Sequence, residues 1–153
     1  MKNVFSAPLA LIFCFFFAAS VIAGEGLISV KSNNSVEKTV KRLESILISK
    51  GMTLFITIDH AEGAKKAMKE LRSTKLVIFG NPKVGTPLMQ CAQSTAIDLP
   101  QKALIWEDEE GKVWLTYNDP RFIAKRHNVS KCDEVISKIE KALANFASGA
   151  TSR

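Results

Sequence analysis

A chain of 153 residues with 46% apolar and 24% charged residues has the make-up of a globular domain. It is neither disordered nor collagen-like, and it leaves no room for two full domains. Lys and Arg number 21 against 15 Asp and Glu, for a formal charge of +6; no block of like charge concentrates it, so the basic residues read as scattered solvent-facing groups with a general leaning toward acidic surfaces or anionic ligands.

Lys2 precedes an uncharged apolar run from Leu9 to Ala19, and Val21-Ile22-Ala23 puts small or modest residues where a signal peptidase reads. This is the pattern of a secretory signal over residues 1–23, cleaved after Ala23. From Pro8 to Ala23 the run is shorter than the roughly 20 residues a spanning helix needs. Cys14 follows Ile12-Phe13 rather than small residues, which disfavours lipid attachment. The expectation is an exported protein, periplasmic or secreted, with no stable membrane anchor after cleavage. Two cysteines remain, Cys91 and Cys132. Oxidising surroundings allow a single disulfide between them, while their places on apolar stripes make buried free thiols a serious alternative; neither has CxxC or metal-type spacing.

Along the rest of the chain, Leu27 to Val30 reads as a first strand. Asn34 with Glu37 has the spacing of a helix cap. Val36, Val40, Leu43 and Leu47 then recur at helical spacing, and Gly51 stops the helix. Met52 to Ile58 is a β-branched strand, broken by Asp59 to Gly63 before two helical turns from Ala64 to Leu71. Lys75 to Phe79 is continuously apolar after its first residue, as in a strand covered on both faces. Thr86 and Pro87 stand as cap and first residue of a short helix. Gln101–Glu107 and Lys112–Tyr117 form a hairpin around Gly111, and Asp119-Pro120 starts another short helix. The last helix carries Cys132, Val135, Ile136, Ile139, Leu143 and Phe146 on one stripe, with a frayed tail over residues 147–153. The order β-α-β-β-α-β-β-α predicts an α+β fold: one compact domain over residues 24–146, a curved, mainly antiparallel sheet of about five strands with helices on one face.

Five ordered segments carry a family resemblance: Ile58-Asp59-His60-Ala61-Glu62-Gly63-Ala64; Phe79-Gly80-Asn81-Pro82-Lys83-Val84-Gly85-Thr86-Pro87-Leu88-Met89; Ile97-Asp98-Leu99-Pro100-Gln101-Lys102-Ala103-Leu104; Trp106-Glu107-Asp108; and Tyr117-Asn118-Asp119-Pro120. Together they resemble the family called domain of unknown function 302, over about residues 27–129. The resemblance implies a compact α+β fold, a tendency to dimerise and a suspected pocket; it brings no agreed activity and no cofactor. Neither Cys91 nor Cys132 belongs to these motifs.

The five segments lie at strand ends and in loops, where function concentrates on a rigid scaffold. The expectation is that His60, Asn81, Thr86, Asp98, Lys102 and Asn118 converge on one cleft for a small polar or anionic ligand. His60, its ring oriented by Asp59 or Asp98, has the chemistry of a general base, or of a histidine that merely closes a turn. Gly85-Thr86 at a helix start, helped by Lys83 or Lys102, would attract an anion. Lys102 would point into the cleft with Asp98 holding it. The rival is an enzyme with His60 as base and Lys102 as electrostatic stabiliser; a third reading is a dimeric structural or interaction protein. Asp119 has a sufficient task as cap, and His127 reads as a solvent-facing helix charge. No metal-ligand spacing, GxSxG elbow or aromatic-interleaved basic stripe points to a metal site, a serine hydrolase or nucleic-acid binding.

Overall fold

The apolar stripes of two long helices meet on one face of a five-stranded sheet. The computed structural model describes residues 24–153; the secretory signal expected over residues 1–23 lies outside them. The elements run β1 (Leu27–Lys31), α1 (Val36–Ser49), β2 (Thr53–Asp59), α2 (His60–Lys66), β3 (Thr74–Gly80), α3 (Pro82–Cys91), a 3-10 turn (Gln93–Ile97), β4 (Gln101–Glu107), β5 (Val113–Asn118), α4 (Pro120–Arg126) and α5 (Asp133–Thr151). All pairings are antiparallel, in the spatial order β1-β5-β4-β3-β2. This is the α+β sheet with helices on one face that the element order predicts.

Val77 and Phe79 of β3, Ala103 and Ile105 of β4, and Leu115 and Tyr117 of β5 point into the core. Val36, Val40, Leu43 and Leu47 of α1 and Ile136, Ile139, Leu143 and Phe146 of α5 meet them. β3 is therefore covered by helices on one face only, not two: Leu76 and Ile78 stay half-buried on the other. That second face also carries Trp106 beside Trp114, with the Trp106 indole donating to Thr116 Oγ1 at 3.0 Å. β2 bears a bulge between Leu54 and Ile56.

Local chemistry moves several boundaries. Ser35, not Asn34, caps α1, accepting from Lys38 N, while the Asn34 amide donates to the Ser152 carbonyl. Gly51, at φ 70°, lets the Met52 amide reach back to the Leu47 carbonyl and closes that helix. Asp59 caps α2, so the helix begins at His60 and ends at Lys66 rather than spanning Ala64 to Leu71. Asn81 and Pro82, not Thr86 and Pro87, are the cap and first residue of α3; an Asn-Pro pair meets the same capping needs one turn earlier. The tail is not frayed. Ala147, Ala150 and Thr151 are buried, Arg42 donates to the Gly149 carbonyl, and the Asn33 amide donates to the Thr151 carbonyl.

The β4–β5 hairpin is held by Asp108, whose carboxylate accepts from the Glu110 and Lys112 amides and from the Trp114 indole. The indole bond above all, with the amide bonds beside it, holds the Asp108 carboxyl below its ordinary range against the cost of desolvation. A carboxylate depressed by folding stabilises the fold above its ordinary pKa and loses that contribution as pH falls through the depressed value. Thermal melts taken from pH 7 down to pH 2 should therefore fall below about pH 4, with a shallower acid limb in Asp108→Asn. An unchanged limb in that variant would remove Asp108 from the account.

A candidate apolar cavity with a Ser-His-Asp cluster at one end of the sheet

The register sorts the expected site residues by sheet end. Thr53 of β2 lies opposite Gly80, and Asp59 opposite Lys75, so β2 starts where β3 ends. Gln101 lies opposite Phe79, and Tyr117 opposite Ala103. Asn81, Thr86, Asp98, Lys102 and Asn118 therefore gather at one end of the sheet. His60, following Asp59, sits at the other, about 17 Å away along β3 at roughly 3.3 Å per residue. It is exposed and makes no side-chain hydrogen bond among the described residues. Asp59 does not orient its ring: that carboxylate caps α2 through the Glu62 amide at 2.9 Å and pairs with Lys75 at 3.2 Å. The Glu62 bond first, and then Lys75, hold Asp59 below the ordinary carboxylate range. The single cleft expected from the six residues thus loses His60.

At the first end lies a cavity of about 330 Å³, within the size range of small-molecule sites. Its wall is built by Met52 and Phe55 around β2, Val84 and Met89 on α3, Leu99 and Pro100 before β4, and Leu143 and Phe146 on α5. Asn81 and Thr86 border it; Asp98, Lys102 and Asn118 do not, and no lining residue is charged. Asn81 is occupied with structure, its Oδ1 accepting from Lys83 N and its Nδ2 donating to the Gly51 carbonyl. Gly85 N–H donates to the Asn81 carbonyl at 2.9 Å inside α3, so the helix-start anion site expected at Gly85-Thr86 is already closed. A third polar residue of the wall is Gln101. It is 9% exposed, and it faces inward with Ala103 and Ile105. The strand alternation made Gln101 inward-facing on paper; a polar residue in that row was the signal.

Asp98 and Lys102 are neighbours with separate tasks. Lys102 Nζ donates to the Asp98 carbonyl at 3.0 Å and the Pro100 carbonyl at 2.9 Å, fastening the loop into β4 rather than pointing into the cavity. The Asp98 carboxylate turns the other way. One oxygen accepts from Arg126 at 3.1 Å, and the other meets His127 Nε2 at 2.7 Å. His127 Nδ1 lies 3.0 Å from Ser94 Oγ. The His127 side chain is 9% exposed, so it is not the solvent-facing charge expected from its basic neighbours. Asp98 orients a histidine after all, but the other one. Asn118, at the end of β5 opposite Leu27, stays off the wall.

Cys91, the last residue of α3, is disulfide-bonded to Cys132, which precedes α5, with Cα atoms 6.4 Å apart. The bridge joins the two helices that wall the cavity.

Comparison with known proteins agrees with this architecture. A solved structure of an uncharacterised conserved protein from Bacillus stearothermophilus, described as DUF302, superposes with a TM-score of 0.75 at 17% identity, covering 83% of this chain and 99% of that one. Two Brucella proteins named fluoride-specific ion channel FluC 1, from B. suis and B. abortus, are 47% identical over 120 residues, which is 78% of this chain. That stretch is 47% and 44% of their lengths, so this chain spans less than half of either relative. No helix among the described residues is long and apolar enough to cross a membrane. The profile of the family described as Domain of unknown function DUF302 matches residues 28–146, and the chain belongs to that family.

Proposed function

We propose that the protein is a binding module for a small, largely apolar ligand with one polar group, seated between α3, α5 and the end of the sheet. One observation carries this reading: an uncharged, largely apolar cavity of about 330 Å³ with Gln101 among its few polar lining residues. Small-molecule sites combine those two features, apolar surface for affinity and a few polar groups for orientation. An anionic ligand fits less well, because a charge moved into an uncharged apolar wall stays uncompensated. A cavity of about 150 Å³ already holds benzene, so this one suits a larger ring system or a medium-length hydrocarbon.

The neutral fluorophore N-phenyl-naphthylamine tests it. Saturable binding to one site per chain is expected. Ala142→Phe, which fills the cavity from α5, should weaken binding at least tenfold, about 1.4 kcal/mol. Gln101→Leu should weaken it several-fold, the worth of one hydrogen bond, about 0.5–1.5 kcal/mol. Wild-type binding in Ala142→Phe would end the reading. Export is part of the proposal, supported by the apolar leader over residues 1–23 and by a cysteine pairing suited to an oxidising compartment. We also propose a homodimer, to be checked by the solution mass from light scattering.

A second reading draws on the Brucella relatives: the domain as a companion of a membrane ion channel. Its support is the 47% identity to part of proteins so named. Co-purification with a channel of the same host in mild detergent would favour it, and a freely diffusing chain would not.

A further inference from the structure

We propose that Ser94 is a nucleophile activated by His127, and that the protein accepts acyl groups from carboxylic esters onto that hydroxyl. The arrangement is a chain of hydrogen bonds running from a carboxylate through an imidazole to an exposed hydroxyl. Asp98 Oδ2 is 2.7 Å from His127 Nε2, and His127 Nδ1 is 3.0 Å from Ser94 Oγ.

The charges fix the direction of every bond. A carboxylate only accepts, and the other oxygen of Asp98 is taken by Arg126. In the neutral ring the proton therefore sits on Nε2, facing Asp98. Nδ1 is left with its lone pair, and its partner among the described residues is Ser94, whose hydroxyl must donate. This is the logic of a nucleophile with an adjacent base and an orienting third group. Relative to the familiar serine-protease order the two ring nitrogens exchange roles, and Ser94 sits on a 3-10 turn instead of a strand-to-helix elbow. Its function was invisible to a motif search for that reason.

Burial is divided as the chemistry needs. The His127 side chain is 9% exposed and the Asp98 side chain 14%, so the base is shielded from water, while Ser94 is exposed to an incoming substrate. A purely structural histidine would be equally well satisfied by two partners, but it would not need its outer partner to be an open hydroxyl. Ala96 and Leu99, two residues on from Ser94 and one from Asp98, line the apolar cavity. Substrates with an apolar acyl group follow from that placement, and this clause alone rests on the cavity reading above.

The step balances without redox chemistry. Ser94 Oγ forms a bond to the ester carbonyl carbon while its proton passes to His127 Nδ1. The intermediate collapses, the ester C–O bond breaks, and the alcohol leaves with the proton from Nδ1. Water then adds to the acyl-Ser94, giving its proton to Nδ1. The bond to Oγ breaks, and the proton returns to Ser94. Asp98 touches no substrate and is a positioning residue.

The disulfide-bonded protein is incubated with an alkyl fluorophosphonate, and labelling is followed by intact mass and peptide mapping. One adduct on Ser94 is expected, absent in Ser94→Ala. His127→Gln should slow labelling at least 100-fold, the low end for loss of a general base, and Asp98→Asn should slow it while leaving the melting temperature close to wild type. Release of p-nitrophenol from p-nitrophenyl butyrate should show a burst of one equivalent that Ser94→Ala lacks. Failure to label Ser94 in the wild type, or equal labelling in a folded His127→Gln, overturns the proposal. A series of fluorophosphonates of increasing alkyl length on the wild type separates the two readings: labelling of Ser94 should quicken with chain length. Equal rates across the series would count against the cavity and not against Ser94.

Discussion

Reducing the Cys91–Cys132 bridge, or replacing both cysteines by serine, is expected to lower the unfolding free energy by about 4 kcal/mol. The cysteines are 41 residues apart in sequence. Closing a loop of that size in the unfolded chain removes entropy worth about 4 kcal/mol in the chain-entropy account. The reduced protein should still fold, because a domain of this length buries an adequate core without staples. Urea titrations of the oxidised and reduced forms read the difference as a shift in midpoint. Coinciding midpoints would mean that the native state is strained by as much as the unfolded chain is constrained. A second consequence is local. The bridge fastens the end of α3 to the start of α5, so reduction should weaken binding of N-phenyl-naphthylamine by more than it alters the circular dichroism of the fold.

Phe79→Ala is expected to cost about 3–5 kcal/mol, the range for truncating a fully buried aromatic ring. Phe79 is 1% exposed near the cavity end of β3, and its ring meets that of Phe146 edge-to-face with centroids 6.4 Å apart. Such pairs contribute about 0.5–1.5 kcal/mol beyond the area they bury. Phe146 also lines the cavity, so the void left by Phe79 opens toward it. The variant should thus be less stable and yet accept bulkier apolar probes. Differential scanning calorimetry with and without probe measures both, and a loss under 1 kcal/mol would show that the core collapses into the gap.

Much of the fold could be read from the chain because its signals are local and periodic. Val36, Val40, Leu43 and Leu47 repeat with helical spacing, and Gly111 and Asp119 mark turns that the structure uses. Boundaries shifted where two residues offer the same chemistry in succession, as with Asn34 and Ser35, or Asn81-Pro82 and Thr86-Pro87. The candidate site was legible only in part. The six residues were expected in one cleft; Asn81, Thr86, Asp98, Lys102 and Asn118 share one end of the sheet, only Asn81 and Thr86 border the cavity, and His60 belongs to the opposite end, which depends on the register of β2 against β3. A register is set by pairing across the sheet and leaves no mark in a motif. His127 was passed over because its neighbours Lys125 and Arg126 suggested an exposed basic run; its burial comes from Asp98 and Ser94, roughly thirty residues earlier in the chain.

The irregularity at Phe55 has one more effect. β2 is an outermost strand, with Phe55 and Ile56 more than half exposed, and a straight row of open amides beside such side chains would recruit further strands from other copies. The extra residue swells and twists that border, breaking the row. Growth into fibrils by strand addition is thereby discouraged on this flank, which leaves the opposite flank, only five residues long and ending in Lys31, as the narrower place from which it could start.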